Sequence, residues 1–413
     1  METKINLRFE NLQFYYFKIA YSNKFANSKL KNCKSIMTPI YLDYNSTTPV
    51  DEKVLETMLP YFREQFGNAA SSTHQQGWIA KDAVDKARKQ VAGLIGAEEN
   101  EIIFTSGATE SINIAIKGIW EAYKTKGNHI VTVKTEHKAV LDTCAYLEKK
   151  GASITYLNVD AEGLIDLDEL SNAITDKTVL VAIMFANNET GVIQPIEEIA
   201  KIVHDKKTIF FCDATQAAGK MMIDVNELGI DCLCLSAHKL YGPKGVGALY
   251  IRRKNPRVTI SSFLHGGGHE KDIRSGTLNV PGIVGLGMAC EIAQQNMWEV
   301  NGHVSKLRAY LEHQLLDIDK LRINGSTRYR LYNTSNLCFS GEQAAKLIGA
   351  WNKHFSVSAG SACTSAVAEP SHVLAAMGIS DEDAYASIRF SFGKYNTQEE
   401  VEEVVKVIKS TLL

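Results

Sequence analysis

Between residues 100 and 252 short β-branched runs alternate with helical patterns, and this constrains the fold more than any other feature of the chain. The candidate strands are 102–105, 130–133, 154–158, 179–185, 209–212, 232–235 and 247–251. Helix-like stretches such as 109–123, 139–149 and 196–204 separate the first six. Alternation of this kind predicts an α/β fold with a mainly parallel, seven-stranded sheet covered on both faces. Only Lys239-Leu-Tyr-Gly-Pro-Lys-Gly-Val246 joins the last two strands. A parallel pair needs a longer crossover, so the last strand is expected to be an antiparallel edge. In such a sheet, ligand-binding groups gather at the carboxyl ends of the parallel strands.

Beyond residue 283 a long helical pattern runs through Leu315. A smaller C-terminal α/β region follows, with strands expected at 334–339 and 386–391 and a final helix at 397–412. The expected organisation is an arm at 38–51, a large domain at 52–298 and a small domain at 299–413. Residues 1–37 stand apart, with seven basic residues, two acidic ones and the aromatic run Phe14-Tyr-Tyr-Phe17. They read as an extension, either an organelle transit peptide or translation from a start upstream of Met37.

A net charge of −2 gives no electrostatic reason to expect nucleic acid or an anionic membrane as partner. No apolar run approaches the ~20 residues of a membrane-spanning helix. The eight cysteines are scattered, and most lie in apolar runs, as in a reduced cytoplasmic protein. Neither Cys232 with Cys234 nor His265 with His269 has the further ligands of a metal site, so no intrinsic metal is expected.

The strand ends carry the chemistry. Ser236-Ala-His-Lys239 follows one candidate strand, and Asp213 ends the strand before it. A lysine and an aspartate so placed suit pyridoxal 5'-phosphate (PLP). The lysine forms a Schiff base with the cofactor aldehyde, and the aspartate holds the pyridinium proton. Ser106-Gly-Ala-Thr-Glu110 follows the first strand and opens a helix, where free N–H groups bind phosphate. A helix cap is the competing reading there. His137 ends the second strand, placed to stack on a ring and move protons. Asn187-Asn188 ends the fourth, as a contact to the phenolic oxygen or simply a turn. Gln216 follows Asp213 with the same two roles open. Thr277, in the Gly-rich stretch 265–277, offers a hydroxyl to a phosphate.

Two further residues point to a substrate. Cys363 lies among small residues in Ser361-Ala-Cys-Thr364, unlike the other seven cysteines, and suits a nucleophilic thiol. Arg389 interrupts an apolar strand pattern and requires a partner, either a substrate carboxylate or a structural ion pair.

Taken together, Tyr41-Leu-Asp-Tyr-Asn-Ser-Thr-Thr-Pro49, Phe104-Thr-Ser-Gly-Ala-Thr-Glu110, Lys134-Thr-Glu-His-Lys-Ala-Val140, His238-Lys-Leu-Tyr-Gly-Pro-Lys-Gly245, Gly268-His-Glu270, Arg274-Ser-Gly-Thr277 and the Cys363 segment resemble the cysteine desulfurases. These are the NifS/IscS family of fold-type I, class V PLP enzymes, and the long small-residue segment around Cys363 resembles its first group. The resemblance spans about nine-tenths of the chain. It implies that Lys239 holds PLP, Asp213 meets the pyridinium nitrogen, Gln216 and Asn188 meet the phenolic oxygen, and His137 stacks on the ring. Ala108, Thr109, Ser236 and His238 would bind the phosphate, joined by the partner subunit's Thr277 in a homodimer. Arg389, with Asn45 and Ser46, would hold the L-cysteine carboxylate, and Cys363 would accept the sulfur. Sulfur-acceptor proteins such as an iron–sulfur scaffold are the implied partners. Ala69 stands where the family usually has proline. A selenocysteine lyase, an aminotransferase of the same class, and a non-catalytic protein with a relic PLP fold are the alternatives. The Cys363 segment argues against an aminotransferase, and Lys239, Asp213 and Cys363 together argue against the relic.

Overall fold

The computed structural model describes residues 39–359 and 370–412, so the extension 1–37 and Cys363 lie outside the described residues. Residues 40–413 form one compact unit. The strands are β1 (Ile40–Tyr41), β2 (Ile102–Thr105), β3 (His129–Val133), β4 (Ser153–Leu157), β5 (Thr178–Ala182), β6 (Ile209–Asp213), β7 (Cys232–Ser236), β8 (Gly247–Ile251), β9 (Leu321–Ile323), β10 (Thr334–Phe339), β11 (Phe355–Ser356), β12 (Ser358–Ala359) and β13 (Ser387–Ser391).

Strands β2 to β8 build a seven-stranded sheet in the order β2-β8-β7-β6-β5-β3-β4. Every neighbouring pair that does not involve β8 is parallel, while β8 is antiparallel to both β7 and β2. Alternate residues enter two separate cores, one on each face. Phe210, Cys212, Leu233 and Leu235 pack on one side, and Ile209, Phe211, Cys232 and Cys234 on the other. Strands buried on both faces read as continuous apolar runs, which is why these segments lack an apolar–polar alternation.

The direction of β8 agrees with its short connection, but its predicted position does not. It lies inside the sheet, and β2 forms the edge. The edge is capped instead of paired: the Phe104 N–H donates to Glu270 Oε2 at 2.7 Å, and Arg88 holds the same carboxylate at 2.7 and 2.9 Å. A side chain thus satisfies a donor that would otherwise recruit another strand. The turn before β8 explains why it can insert. A Cβ at Gly247 would stand 2.6 Å from the Leu235 carbonyl and 2.7 Å from the Gly107 Cα, so only glycine lets the three segments meet.

Four helices frame the site. They are α1 (Gln75–Leu94), α2 (Ala108–Tyr123), α3 (Lys138–Glu148) and α4 (Val280–Leu315). At ~1.5 Å per residue, α4 is about 54 Å long. Its first half packs Ile283, Leu286 and Cys290 into the core under the large sheet. Its second half packs Val304, Leu307 and Leu311 into the core of a smaller antiparallel sheet ordered β12-β13-β10-β9. Strand β1 runs parallel to β11, and the residues after it return toward β13 through a bridge between Asp43 and Ser391. Among the described residues no helix is long and apolar enough to cross a membrane.

Candidate active site

The carboxyl ends of β3, β5, β6 and β7, the start of α2, the segment after β1 and strand β13 enclose a cavity of about 810 Å³. Twelve predicted residues line it: Asn45, Ser46, Ala108, Thr109, His137, Asn188, Asp213, Gln216, Ser236, His238, Lys239 and Arg389. Thr277 is exposed and lies off this lining, and Cys363 is outside the described residues.

Asp213 closes β6 opposite Cys234 of the neighbouring β7, which Ser236 closes two residues further on. Asp213 is buried. Its Oδ1 accepts the Thr215 N–H at 2.9 Å and the Cys234 thiol at 3.3 Å, and neither bond uses Oδ2. A buried carboxylate with one oxygen still available fits a protonated pyridine nitrogen. One turn after β7, Lys239 Nζ donates to the carbonyls of Asn45 at 2.5 Å and Ser46 at 2.7 Å. Burial, and then the nearby Arg389 cation, lower its pKa from 10.5 to about 8, against the pull of Asp43 and Asp213. The shift enlarges the fraction of free amine, the form that attacks an aldehyde.

The start of α2 is built for an anion. Gly107 is its N-cap and supplies no side-chain acceptor to the helix. The capping-box reading of Ser106 fails, because the N-cap is Gly107 and the Ser106 hydroxyl caps nothing; the Ser106 N–H is accepted by Glu110 Oε2 at 2.5 Å. Glu110 is held in turn by Arg274 Nε at 2.8 Å. The N–H groups that follow Gly107 open into the cavity beside Ser236 and His238, a set that fits a phosphate. His238 Nδ1 lies 3.1 Å from Thr47 Oγ1, and burial, followed by Lys239, drives its pKa down to about 4. It therefore stays neutral near pH 7.

His137 is the N-cap of α3, and its Nδ1 accepts the Ala139 N–H at 3.1 Å. That bond places the proton of the neutral ring on Nε2. The ring is open to the cavity, yet the surrounding protein lowers its pKa, with Asp213 opposing. Both readings of Asn187-Asn188 are realised. Asn187 makes the turn, its Oδ1 accepting from Glu189 and Thr190 N–H, while Asn188 faces the cavity.

Arg389 is 5 % exposed and faces the cavity from β13. Its Nη2 donates to Asp43 Oδ1 at 2.6 Å and Ser46 Oγ at 3.0 Å, and its Nη1 to the Asn188 carbonyl at 2.9 Å. Its Nε is buried, with no acceptor among the described residues. The structural ion pair is thus present, and the guanidinium also carries an unmatched donor. Sequence reasoning did not find Asp43 as the partner, although it lies in the same motif as Asn45 and Ser46. It also overlooked Thr215, which orients Asp213, and Ser358, which lines the cavity opposite Arg389 on β12.

The segment that carries Cys363 is flanked on both sides by residues at this site. Before it, Ser358 pairs with Arg389 across two strands. After it, Ser371 Oγ donates to Glu189 Oε2 at 2.6 Å, and His372 Nε2 lies 2.9 Å from the Glu136 carbonyl, next to His137. The six described cysteines are all buried. Burial raises every one of their pKa values, Cys144 to about 12, so none supplies a thiolate near neutrality.

Residues 40–404 match the class-V aminotransferase family. A curated relative from Neisseria meningitidis, named cysteine desulfurase IscS, is 51 % identical over 378 residues, 92 % of this chain and 93 % of that protein. One of the same name from Mannheimia succiniciproducens is 52 % identical over 376 residues, 91 % of this chain and 93 % of its own. Among solved structures, a NifS-like protein superposes with a TM-score of 0.85 at 40 % identity, covering 91 % of this chain and 99 % of that one. SspA in complex with cysteine gives 0.75 at 37 % identity, over 87 % and 100 %. With the lysine, the aspartate and the phosphate-type helix start in place at one cavity, the chain belongs to the cysteine desulfurases, PLP-dependent members of the class-V aminotransferase family.

Proposed function

We propose that this protein takes sulfur from L-cysteine, releases L-alanine and carries the sulfur as a persulfide on Cys363. The observation that carries this reading is the joint placement of Lys239, Asp213 and Arg389 around one cavity, where they would hold PLP and the carboxylate of an amino acid. PLP, when bound, supplies the electron sink that lets bonds at the substrate Cα and Cβ break.

The protein's own groups do the rest. Asp213 would hold the proton on the ring nitrogen through the oxygen that Thr215 and Cys234 leave free. The α2 start, Ser236 and His238 would hold the cofactor's phosphate, and His137 would contact its ring. Arg389 orients the substrate carboxylate, with Asn45 and Ser46 beside it. Lys239, released as a free amine, takes the Cα proton. The Cys363 thiolate then attacks the substrate sulfur. The S–S bond forms as the Cβ–S bond breaks, the carbon regains protons, and alanine leaves with the atoms balanced.

A homodimer completes the site in this reading, because the exposed Thr277 lies off its own cavity and serves the partner's phosphate. Exposed Leu55, Leu59, Phe62, Phe66, Trp78 and Trp298 support a covered surface of that kind. The sulfur passes to acceptor proteins such as an iron–sulfur scaffold, in the cytoplasm.

The test is alanine release from L-cysteine by the PLP-loaded enzyme, with Cys363→Ser measured alongside. Alanine and protein persulfide from the wild type alone support the reading. Equal persulfide in the variant overturns the role of Cys363, and a coloured enzyme that forms no alanine overturns the substrate.

A further inference from the structure

A second lysine sits behind the site, with no carboxylate paired to it among the described residues. Lys220 is 9 % exposed, and its described hydrogen bonds both go to Gln216: to the backbone carbonyl at 2.9 Å and to side-chain Oε1 at 3.1 Å. No ion pair among the described residues includes it. Gly219, with φ of 75°, turns the chain so that Lys220 runs back beneath Gln216. A Cβ there would also crowd Ala293 and Leu240, so the turn depends on glycine. A buried amine with no counter-ion is costly to keep, which argues for a role beyond packing.

Its contacts determine which end of the Gln216 amide faces the cavity. An ammonium or amine donates, so the Gln216 atom toward Lys220 must be the oxygen. A carbonyl accepts, so the Gln216 atom 2.9 Å from the Asn45 carbonyl must be the nitrogen. The same Asn45 carbonyl also receives Lys239 Nζ. Lys220, Gln216, Asn45 and Lys239 therefore form one chain of bonds. One N–H of Gln216 remains unused, on a side chain that lines the cavity.

We propose that Lys220 is a positioning residue that locks the Gln216 amide so that an N–H, never the carbonyl oxygen, meets the phenolic oxygen of PLP. The inference rests on the PLP site proposed above. Burial, and then the charge of Lys239, bring Lys220 to about 7, so it loses its charge near neutrality but keeps N–H bonds to give. Without it only the bond to the Asn45 carbonyl, which Lys239 shares, holds the amide; the amide turns more readily, and an oxygen facing an oxygen disfavours the cofactor form with an ionised phenol.

The readout is the pH midpoint at which the visible absorbance of the bound cofactor changes, in the absence of substrate. Asp213, Asp43, His137, His238, Lys239 and Arg389 all face the cavity or its ion pair, and all are kept in every variant. Lys220→Met should raise the midpoint by about half a pH unit or more. In a Gln216→Leu background the same substitution should shift it by less than about a fifth of a unit, because its means of action is gone. A shift of equal size in both backgrounds overturns the proposal, as does no shift in either. If Lys220→Met does not fold, Lys220→Gln, shorter and uncharged, enters the same four-protein cycle with the same criteria. Failure of the PLP reading looks different: the wild-type protein then shows no visible band at all.

Discussion

The two walls of the cavity are built on different principles. On the wall proposed to hold the cofactor, Asp213, Ser236 with Lys239, and His137 follow the ends of parallel strands whose direction already aims them at one place. On the wall proposed to hold the substrate, Arg389 meets Ser46, Asp43 and Asn188 across 343, 346 and 201 residues of sequence. The first wall follows from sheet polarity and short connections. The second exists only once β1 has met β11 and the small sheet has closed on β13. Chemistry on strand ends is therefore stated locally in a sequence, while a substrate grip assembled from remote segments is stated only by the finished fold.

Substitutions on the two walls should separate in what they abolish. Lys239→Ala should remove the characteristic visible absorbance and lower alanine formation by more than ~10³-fold, the range for loss of a general base. Colour with normal turnover in that variant would remove the cofactor wall from the account. Arg389→Lys keeps a cation beside Asp43 but loses the planar fork. It should leave the absorbance intact and reduce kcat/KM for L-cysteine by about 10²-fold, ~3 kcal/mol, mostly through KM. Unchanged kinetics with this variant would place the carboxylate grip elsewhere.

The same division explains what could be read without a structure. All seven strands of the large sheet were visible as β-branched or apolar runs, and six of them are buried along their whole length, the edge strand β4 being partly exposed. The place of β8 was not visible. Its direction follows from the length of one connection, but its neighbour β2 is fixed by a carboxylate, Glu270, that caps the outer edge from a distant loop. Arg389 was recognised as a charge in need of a partner, but Asp43 was not named, since nothing local pairs them. Lys220 left only a faint trace, a lysine closing the small-residue run Ala217-Ala-Gly-Lys220.

A pH experiment sharpens the account of the cofactor wall. If burial holds Lys239 at about 8, roughly a tenth of it is free amine at pH 7, against less than ~0.1 % for an exposed lysine. Deprotonation creates the nucleophile, so capture of added PLP by the cofactor-free protein should speed up as pH rises. The gain from pH 7 to 9 should be about tenfold, levelling above the midpoint. A rate that keeps climbing toward pH 10 would mean that the wall does not perturb its lysine.

The smallest expected effect tests the cofactor wall alone. The Cys234 thiol donates to Asp213 Oδ1 at 3.3 Å, a weak bond beside the 2.9 Å bond from the Thr215 N–H. Cys234→Ala should therefore weaken PLP binding by no more than about 1 kcal/mol, roughly fivefold, because the stronger donor remains. It should leave the persulfide yield unchanged, since burial and the neighbouring Asp213 hold that thiol well above the usual cysteine range. A loss of PLP affinity approaching that of Asp213→Ala would show that Thr215 alone cannot orient the carboxylate. A loss of persulfide with the cofactor still bound would mean that sulfur passes through the sheet itself, and the separation of the two walls would fail.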